Sequence, residues 1–362
     1  MERPAKLTLL SDAVRSGKTT AIWHWLKDRP NAFAILMPDL AQKRKLYISS
    51  LHAIIPLEVY APDYPQANLQ HIGRFSFLAA SFELAQNELK KAFEKEYHEI
   101  VVDEIGKLEY KQQQGFEPML HYGLKQWQLK PTQEIYLVIR DYLLEEACEA
   151  YGFINPIVVS AKSLFTQTIV KQEKPISSIA ALILCGGESS RMGRPKALID
   201  YHGLPQYLWL NKMATPLVNE VFISCKIGQS NWFDPSLKQV HDDKGFSDAG
   251  PLGALLSYLK LATNNAVLVL GCDYALLTKE HIQQLTEACL NLQCSVALSG
   301  SISKPLEPLL CCLHPKDYAA IITSYNNGER SLQRILTSLQ VLKIVVEDEA
   351  KLKSFDEPIY KS

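Results

Sequence analysis

Apolar and polar positions follow the same rhythm in both halves of the chain. Residues 6–10, Lys6-Leu7-Thr8-Leu9-Leu10, form a short, mainly apolar segment. Ser16-Gly17-Lys18 interrupts it, and residues 19–27 take up helical spacing. Residues 179–184 form a second apolar run that breaks at two adjacent glycines. Short continuous apolar runs bounded by glycine read as buried strands, and 3.6-residue spacing reads as helix. On this basis the first half predicts strands at 6–10, 32–37, 99–103, 135–139 and 157–159. Its helices fall at 19–27, 75–95 and 115–126. The second half predicts strands at 179–184, 221–225, 266–270, 295–298, 309–313 and 342–346. Its helices fall at 206–213, 251–262, 279–291, 316–324 and 331–339.

Strand–helix alternation of this kind implies a largely parallel sheet with helices on both faces. With 362 residues the chain exceeds one ordinary core. The charged, proline-containing stretch Lys171-Gln172-Glu173-Lys174-Pro175-Ile176-Ser177-Ser178 separates halves of similar size. The expected fold is α/β, with two three-layer domains at 1–170 and 179–362 and a linker at 171–178.

Composition narrows the class. A hydrophobic fraction of 47% suits a globular protein, and a net charge of −1 argues against nucleic-acid or membrane-surface binding. No apolar run approaches the roughly 20 residues needed to cross a bilayer. The N-terminal residues lead into a strand rather than a signal peptide. The eight cysteines lack metal-like pair spacing and read as reduced thiols, so the expected compartment is the cytoplasm.

The candidate chemistry of the second half starts at Leu184-Cys185-Gly186-Gly187-Glu188-Ser189-Ser190-Arg191-Met192-Gly193-Arg194-Pro195-Lys196. Adjacent glycines let a ligand approach the backbone. Arg191 offers a planar fork and Lys196 a compact charge, both suited to phosphate oxygens. Open parallel sheets bind ligands beyond the carboxyl ends of their strands. The strand ending in Gly271-Cys272-Asp273 sends a carboxylate to that same edge. Mg²⁺ takes one or two carboxylates together with phosphate oxygens, which makes Asp273 a candidate metal ligand. Asp242-Asp243 precede Gly250-Pro251-Leu252-Gly253 and offer either a second carboxylate or a solvated turn.

This glycine loop, Gly250-Pro251-Leu252-Gly253-Ala254, Cys272-Asp273, Glu307-Pro308-Leu309 and Gly328-x2-Ser331-Leu332 occur in an order that resembles molybdenum cofactor guanylyltransferase. That family belongs to the nucleotidyltransferase superfamily, and the resemblance covers about residues 178–358. It implies a Rossmann-like domain that transfers GMP from GTP to the phosphate of molybdopterin, with Mg²⁺ as cofactor and pyrophosphate released. It further implies that Asp273 holds the metal and that Arg191 and Lys196 bind the triphosphate. Leu184, Gly186, Gly187 and Asp243 would lie along the nucleotide, the last with a one-residue ambiguity against Asp242. Molybdoenzymes or cofactor-synthesis proteins are the implied partners. Gly186 replaces the alanine of cytidylyltransferase relatives and favours a purine. A CTP-using or sugar-phosphate transferase is the rival reading.

Three positions depart from the family pattern. Ala275 stands where Cys-Asp-x-Pro has proline. Ser224 stands where asparagine is common. Ser354-Phe355-Asp356-Glu357-Pro358 replaces Asn-x-Asn-Thr-Pro. Asp356 reads equally as a metal ligand or a solvated tail residue.

In the first half, Ser16-Gly17-Lys18-Thr19 reads as the end of a P-loop, with Thr20 following. Lys18 suits β/γ-phosphates and Thr19 suits Mg²⁺. Asp103 ends an apolar strand as a metal-side carboxylate, and Glu104 is placed to orient water. Asp12 occupies the position of the first P-loop glycine and weakens the pattern. Ile72-Gly73-Arg74-Phe75, the run from Val102 to Glu109, Gly115-Phe116 and Val138-Ile139-Arg140 resemble small P-loop nucleoside-triphosphatases related to nucleotide kinases. That resemblance spans residues 5–165 and implies ATP or GTP hydrolysis by Lys18, Thr19, Asp103 and Glu104. Arg140 reads either as a phosphate contact or as a strand-end surface charge. The rival reading is a non-catalytic docking module.

Overall fold

The structure, a computed structural model, describes residues 6–13, 16–95, 97–129, 133–153, 156–160, 175–186, 195–261 and 264–355. By its internal contacts the chain divides into two compact units, Met1–Glu173 and Lys174–Ser362.

In unit 1 the elements run β1 (Leu7–Asp12), α1 (Lys18–Leu26), β2 (Ala32–Leu36), β3 (Asp39–Leu40), β4 (Lys43–Ile48) and β5 (Ala53–Pro56). They continue with β6 (Glu58–Val59), β7 (Leu69–Ile72), β8 (Phe75–Leu78), α2 (Ala79–Glu94), β9 (Glu99–Ile105) and α3 (Lys107–Tyr110). The unit closes with α4 (Met119–Leu129), β10 (Glu134–Arg140), α5 (Leu144–Tyr151) and β11 (Ile157–Val159). The sheet order is β11-β1-β10-β9-β2-β4-β5, with β3 hairpinned onto β4. Strands β11, β1, β10, β9 and β2 are mutually parallel where they pair, and β4 and β5 turn antiparallel. β6, β8 and β7 form a separate antiparallel sheet.

The expected all-helical stretch 75–95 therefore begins as a strand. Phe75-Ser76-Phe77 alternates with period two, and β8 pairs on both sides before α2 starts at Ala79. The helix expected from residue 115 starts instead at Met119, because a residue before proline disfavours helical geometry and Pro118 fixes that boundary. The strands β3 to β7, between residues 39 and 72, carry short or charged sequences with no long apolar run. Periodicity did not reveal them.

Unit 2 runs β12 (Ile179–Leu184), α6 (Gln206–Ala214), β13 (Glu220–Cys225), β14 (Lys238–His241), α7 (Pro251–Leu259), β15 (Ala266–Gly271) and α8 (Lys279–Leu292). It ends with β16 (Val296–Ser299), β17 (Leu310–Leu313), α9 (Tyr318–Asn326), α10 (Leu332–Ser338) and β18 (Leu342–Val345). The strand order is β18-β16-β17-β15-β12-β13-β14. β14, β13, β12 and β15 are parallel, while β17 runs antiparallel to both neighbours. Both sheets are thus mixed, with most neighbouring strands parallel and antiparallel pairings around β4 and around β17.

Burial explains the layering. Ala180, Leu182, Val267 and Val269 pack with Leu252, Leu255 and Leu256 of α7 and with Ile335 and Leu336 of α10. Ala181, Ile183, Leu268 and Leu270 have the opposite parity and are fully buried, and α6 and α8 contact these same strands. Each valine, leucine or isoleucine among them contributes roughly 1.5–3 kcal/mol by leaving water. That burial fixes β12 at the centre, with β13 and β15 on its two sides. The carboxyl ends of these three strands become one edge.

Candidate functional site

The central strands of unit 2 end in register: Leu184 lies opposite Ser224 on β13 and Gly271 on β15. Leu184 is half-buried. The Cys185 backbone N–H donates to the Ser224 carbonyl at 2.9 Å, which carries the pairing one residue further. Gly186 then makes its close approach to Asp242. A Cβ on Gly186 would stand 3.1 Å from Asp242 Oδ2 and 3.6 Å from the Cys225 Cα. The side chain that glycine admits here is a carboxylate.

Asp242 is held by Ser224, whose hydroxyl donates to Oδ1 at 3.0 Å, and by its own N–H to the Cys225 carbonyl at 3.2 Å. The serine that departs from the family pattern thus orients an acid. Asp243, the neighbour singled out in the sequence, points its charge elsewhere. It accepts from Gly245 N–H at 2.7 Å and pairs with Lys260 at 2.5 Å. These two partners hold its carboxyl below the usual range. Of this pair of carboxylates, the structure sets Asp242 beside the glycine loop.

Asp273 follows β15 at the same edge and is half-buried. Ser354 donates to its Oδ2 at 2.9 Å, and the Phe355 N–H donates to its carbonyl at 2.9 Å. The C-terminal segment around Ser354 therefore reaches the site. The next residues of the turn are braced from α6 and the segment before it. Gln206 donates to the Tyr274 carbonyl at 3.3 Å, and the His202 ring meets the Ala275 carbonyl at 2.7 Å. Those contacts hold the turn where the family pattern has proline. Tyr274 donates to Glu307 at 2.7 Å, tying the Glu307-Pro308-Leu309 motif to the same turn. Lys196 is half-buried and opens a 3₁₀ turn, Lys196–Leu198. Gly187, Arg191 and Asp356 lie outside the described residues.

Two thiols stand behind this edge. The sulfurs of Cys185 and Cys272 are 3.5 Å apart and buried. Burial pushes the Cys185 thiol well above its ordinary range, the charged form being denied solvent.

In unit 1 the start of α1 meets the carboxyl end of β9. Gly17 is the N-cap with φ +84°, a left-handed conformation natural to glycine. Lys18, only 7% exposed, turns its ammonium back onto the carbonyls of Asp12 and Ala13 at 3.0 and 2.8 Å. Thr19 donates to Asp103 Oδ2 at 2.6 Å. Thr20 is exposed on the helix. Asp103 has no solvent exposure and also accepts from Met37 N–H at 3.3 Å and Glu104 N–H at 2.9 Å. Burial first, and the charge of Glu104 second, push its carboxyl up to about 6. Glu104 sits at φ +59°, uncommon for a residue with a side chain. Arg140, read from sequence as either a phosphate contact or a surface charge, instead clamps Glu104 through Nε at 3.1 Å and Nη2 at 2.6 Å.

Glu109 shows what the acidic run after β9 does structurally. Its Oε2 accepts from Gly106 N–H at 2.9 Å and its Oε1 from Phe116 N–H at 3.4 Å, joining the two loops. Next to these loops lies a cavity of about 260 Å³ lined by Arg44, Phe75, Phe77, Glu104, Lys107 and Arg140, among others. Arg44, Phe77 and Ser224 were not read from sequence as site residues. Arg44 falls in the stretch whose strands were missed. The period-two Phe75-Ser76-Phe77 was hidden beside a stronger helical signal.

A family model of the MobA-like NTP transferase domain matches residues 181–343. Molybdenum cofactor guanylyltransferase of Pseudomonas fluorescens is 29% identical over 186 residues, covering 51% of this chain and 92% of that protein. The Pseudomonas putida F1 protein of the same name is 30% identical over 185 residues, covering 49% and 92%. Among solved structures, THEP1 of Aquifex aeolicus aligns over 45% of this chain and 96% of its own, at 14% identity and a TM-score of 0.32. The match to the putida relative, nearly complete over its length, together with the family model, shows that this chain belongs, through its second unit, to the MobA-like NTP transferase family.

Proposed function

We propose that unit 2 is a Mg²⁺-dependent guanylyltransferase that joins GMP to the phosphate of molybdopterin. The observation that carries this is the pairing of Gly186 with Asp242 at the ends of β12 and β14, beside Asp273 at the end of β15. An open backbone edge flanked by two carboxylates suits a nucleoside triphosphate and its cation. Asp242 and Asp273 each spend one oxygen on a serine hydroxyl, and hard oxygen ligands of this kind fit Mg²⁺. Bound there, the cation would neutralise charge on the phosphates. An oxygen of the acceptor phosphate attacks the α-phosphorus of GTP, the bond to the β-phosphate oxygen breaks, and pyrophosphate leaves. The acceptor is already an anion, so the protein's own task is positioning and charge neutralisation by Lys196 and Arg191. Asp242 takes the nucleotide-side role that the sequence pattern assigned to Asp243. GTP as donor is supported by the two named Pseudomonas relatives.

For unit 1 the reading is a Mg²⁺-dependent ATPase or GTPase. Lys18 would exchange its two carbonyl partners for the β- and γ-phosphates, Thr19 and Asp103 would hold the Mg²⁺, which would neutralise phosphate charge, and Glu104 would orient the attacking water. The Thr19–Asp103 hydrogen bond supports this, since both oxygens of a P-loop metal shell must converge. The full chain, incubated with molybdopterin, Mg²⁺ and GTP or CTP, tests the first reading. Pyrophosphate and a guanine dinucleotide product, both lost in Asp273→Ala, are expected; no product with GTP sinks it.

A further inference from the structure

Among the described residues of the P-loop, Gly17, Lys18 and Thr19 do not line the cavity beside β9, which shares Glu104 and Arg140 with the carboxyl end of that strand and its neighbour. Its wall is aromatic. Phe75 and Phe77 are nearly parallel, at 27° with centroids 6.4 Å apart, and Phe82 backs Phe77 edge-on. The Arg44 guanidinium lies 5.0 Å from the Phe75 centroid and 6.0 Å from that of Phe77. Arg74 approaches Phe75 at 5.1 Å. A guanidinium spread over ring faces is a setting in which a further flat π-system stacks well.

The charges in this cavity are unequal. Glu104 is matched by Arg140, and Glu109 directs both oxygens at the backbone N–H groups of Gly106 and Phe116. Neither of these two carboxylates is directed at the Arg44 guanidinium; Glu58 accepts from the Arg44 backbone N–H at 3.3 Å but stands outside the cavity lining, and Lys107 adds a further cation on the rim. An aromatic wall and surplus positive charge select an anion with a flat body. The volume, about 260 Å³, lies below the several hundred Å³ of drug-sized pockets and suits one ring system with one phosphate.

We propose that this cavity is a second ligand site of unit 1, for a flat heteroaromatic monophosphate stacked against Phe75 and Phe77 with its phosphate drawn to Arg44 and Lys107. Nucleoside monophosphates and pterin phosphates share this chemistry. The inference goes beyond nucleotide binding at Lys18 and does not depend on it.

Hydrogen exchange read by mass spectrometry on the full chain tests it, with GMP, AMP, CMP and 6-hydroxymethylpterin phosphate as probes and guanosine and inorganic phosphate as controls. The readout separates this cavity from the nucleotide site of unit 2, because each peptide is seen on its own. At least one monophosphate is expected to slow exchange in both 69–78 and 104–109, with the controls needing tenfold higher concentration. Arg44→Ala and Phe75→Leu are each expected to raise the concentration needed by tenfold or more. Arg44→Lys, which keeps the charge, serves if the alanine variant fails to fold, and a tenfold weakening is expected there from loss of the stacking plane. Lys18→Ala is expected to leave the effect intact, so failure of the P-loop reading and failure of this one are told apart. Protection confined to unit 2, no protection by any monophosphate, or equal protection by inorganic phosphate overturns the proposal.

Discussion

Arg140 fastens Glu104 through two nitrogens on one oxygen, Nε at 3.1 Å and Nη2 at 2.6 Å to Oε2. Glu104 is also the residue of β9 held at φ +59°. A left-handed backbone on a side-chain-bearing residue costs on the order of 1–3 kcal/mol and persists where surroundings enforce it. Asp103, the Arg140 fork and the Gly106 turn supply that enforcement. In the proposed hydrolysis Glu104 orients water and Arg140 positions Glu104. Glu104→Gln is expected to lower the ATP hydrolysis rate at least tenfold with KM little changed. Arg140→Lys keeps the charge but loses the fork, and is expected to lower kcat less, again without a KM change. Steady-state kinetics with Mg-ATP checks both. A rise in KM at constant kcat in either variant would move these residues from water orientation to nucleotide binding.

Gly186→Ala puts a methyl 3.1 Å from Asp242 Oδ2. From sequence alone the missing methyl makes room for guanine, and alanine there shifts preference towards CTP. The structure directs the methyl at Asp242 Oδ2 instead, and the carboxylate must give by a few tenths of an ångström while Ser224 holds its other oxygen. Transferase activity is therefore expected to fall about tenfold or more with GTP, without a compensating rise with CTP. Paired rates of product formation with the two nucleotides decide it. A gain with CTP equal to the loss with GTP restores the base-size argument.

The thiols supply a simpler check on unit 2. Of the eight cysteines, Cys148 and Cys294 are partly exposed and the other six are buried. Titration of the native chain with a thiol-reactive disulfide at pH 7.5 is expected to show two fast thiols and six slow ones. Cys185 belongs to the slow group because burial keeps it protonated. Fast labelling of Cys185 or Cys272 would mean that the edge behind Gly186 is open to reagent.

How far the sequence carried these sites depends on the kind of interaction involved. The strands 179–184 and 266–270 announce themselves because each is buried on both faces and reads as continuous apolar residues, while 221–225 is half-buried at its start and carries Ser224 but keeps enough apolar residues to be read. Glycine loops, Lys18 and Asp273 are legible because they sit at fixed offsets from those strands. The choice between Asp242 and Asp243 was not. Adjacent acids in a turn differ only in which way the backbone points them, and Lys260 and Ser224, 17 and 18 residues distant, decide it. The cavity wall was hidden for a related reason. Arg44 and Phe75 meet through pairings between strands too short to leave a periodic trace, and the antiparallel β4–β5 and β6–β8–β7 arrangements reward contact between distant segments.

Glu109 gives unit 1 a pH dependence of definite sign. Burial pushes its carboxyl from the ordinary 4.5 up to about 8, with the hydrogen bonds from Gly106 and Phe116 opposing the rise. A raised folded-state value means that the folded chain holds this proton where the unfolded chain has lost it. The folded state is then favoured most below 4.5, and this share of its stability declines as pH rises towards about 8. Glu109→Gln keeps the shape but cannot ionise. Its amide nitrogen faces one of the two backbone donors, so the variant is expected to melt below the wild type at pH 5.5. At pH 8.5 the wild type carries a buried charge there and the variant does not, so the gap is expected to narrow or reverse. Thermal melts of the two proteins across that range, followed by tryptophan fluorescence, make the comparison. A constant gap at all pH values would place the ionisation of Glu109 near its ordinary range and remove the buried charge from the account of this loop.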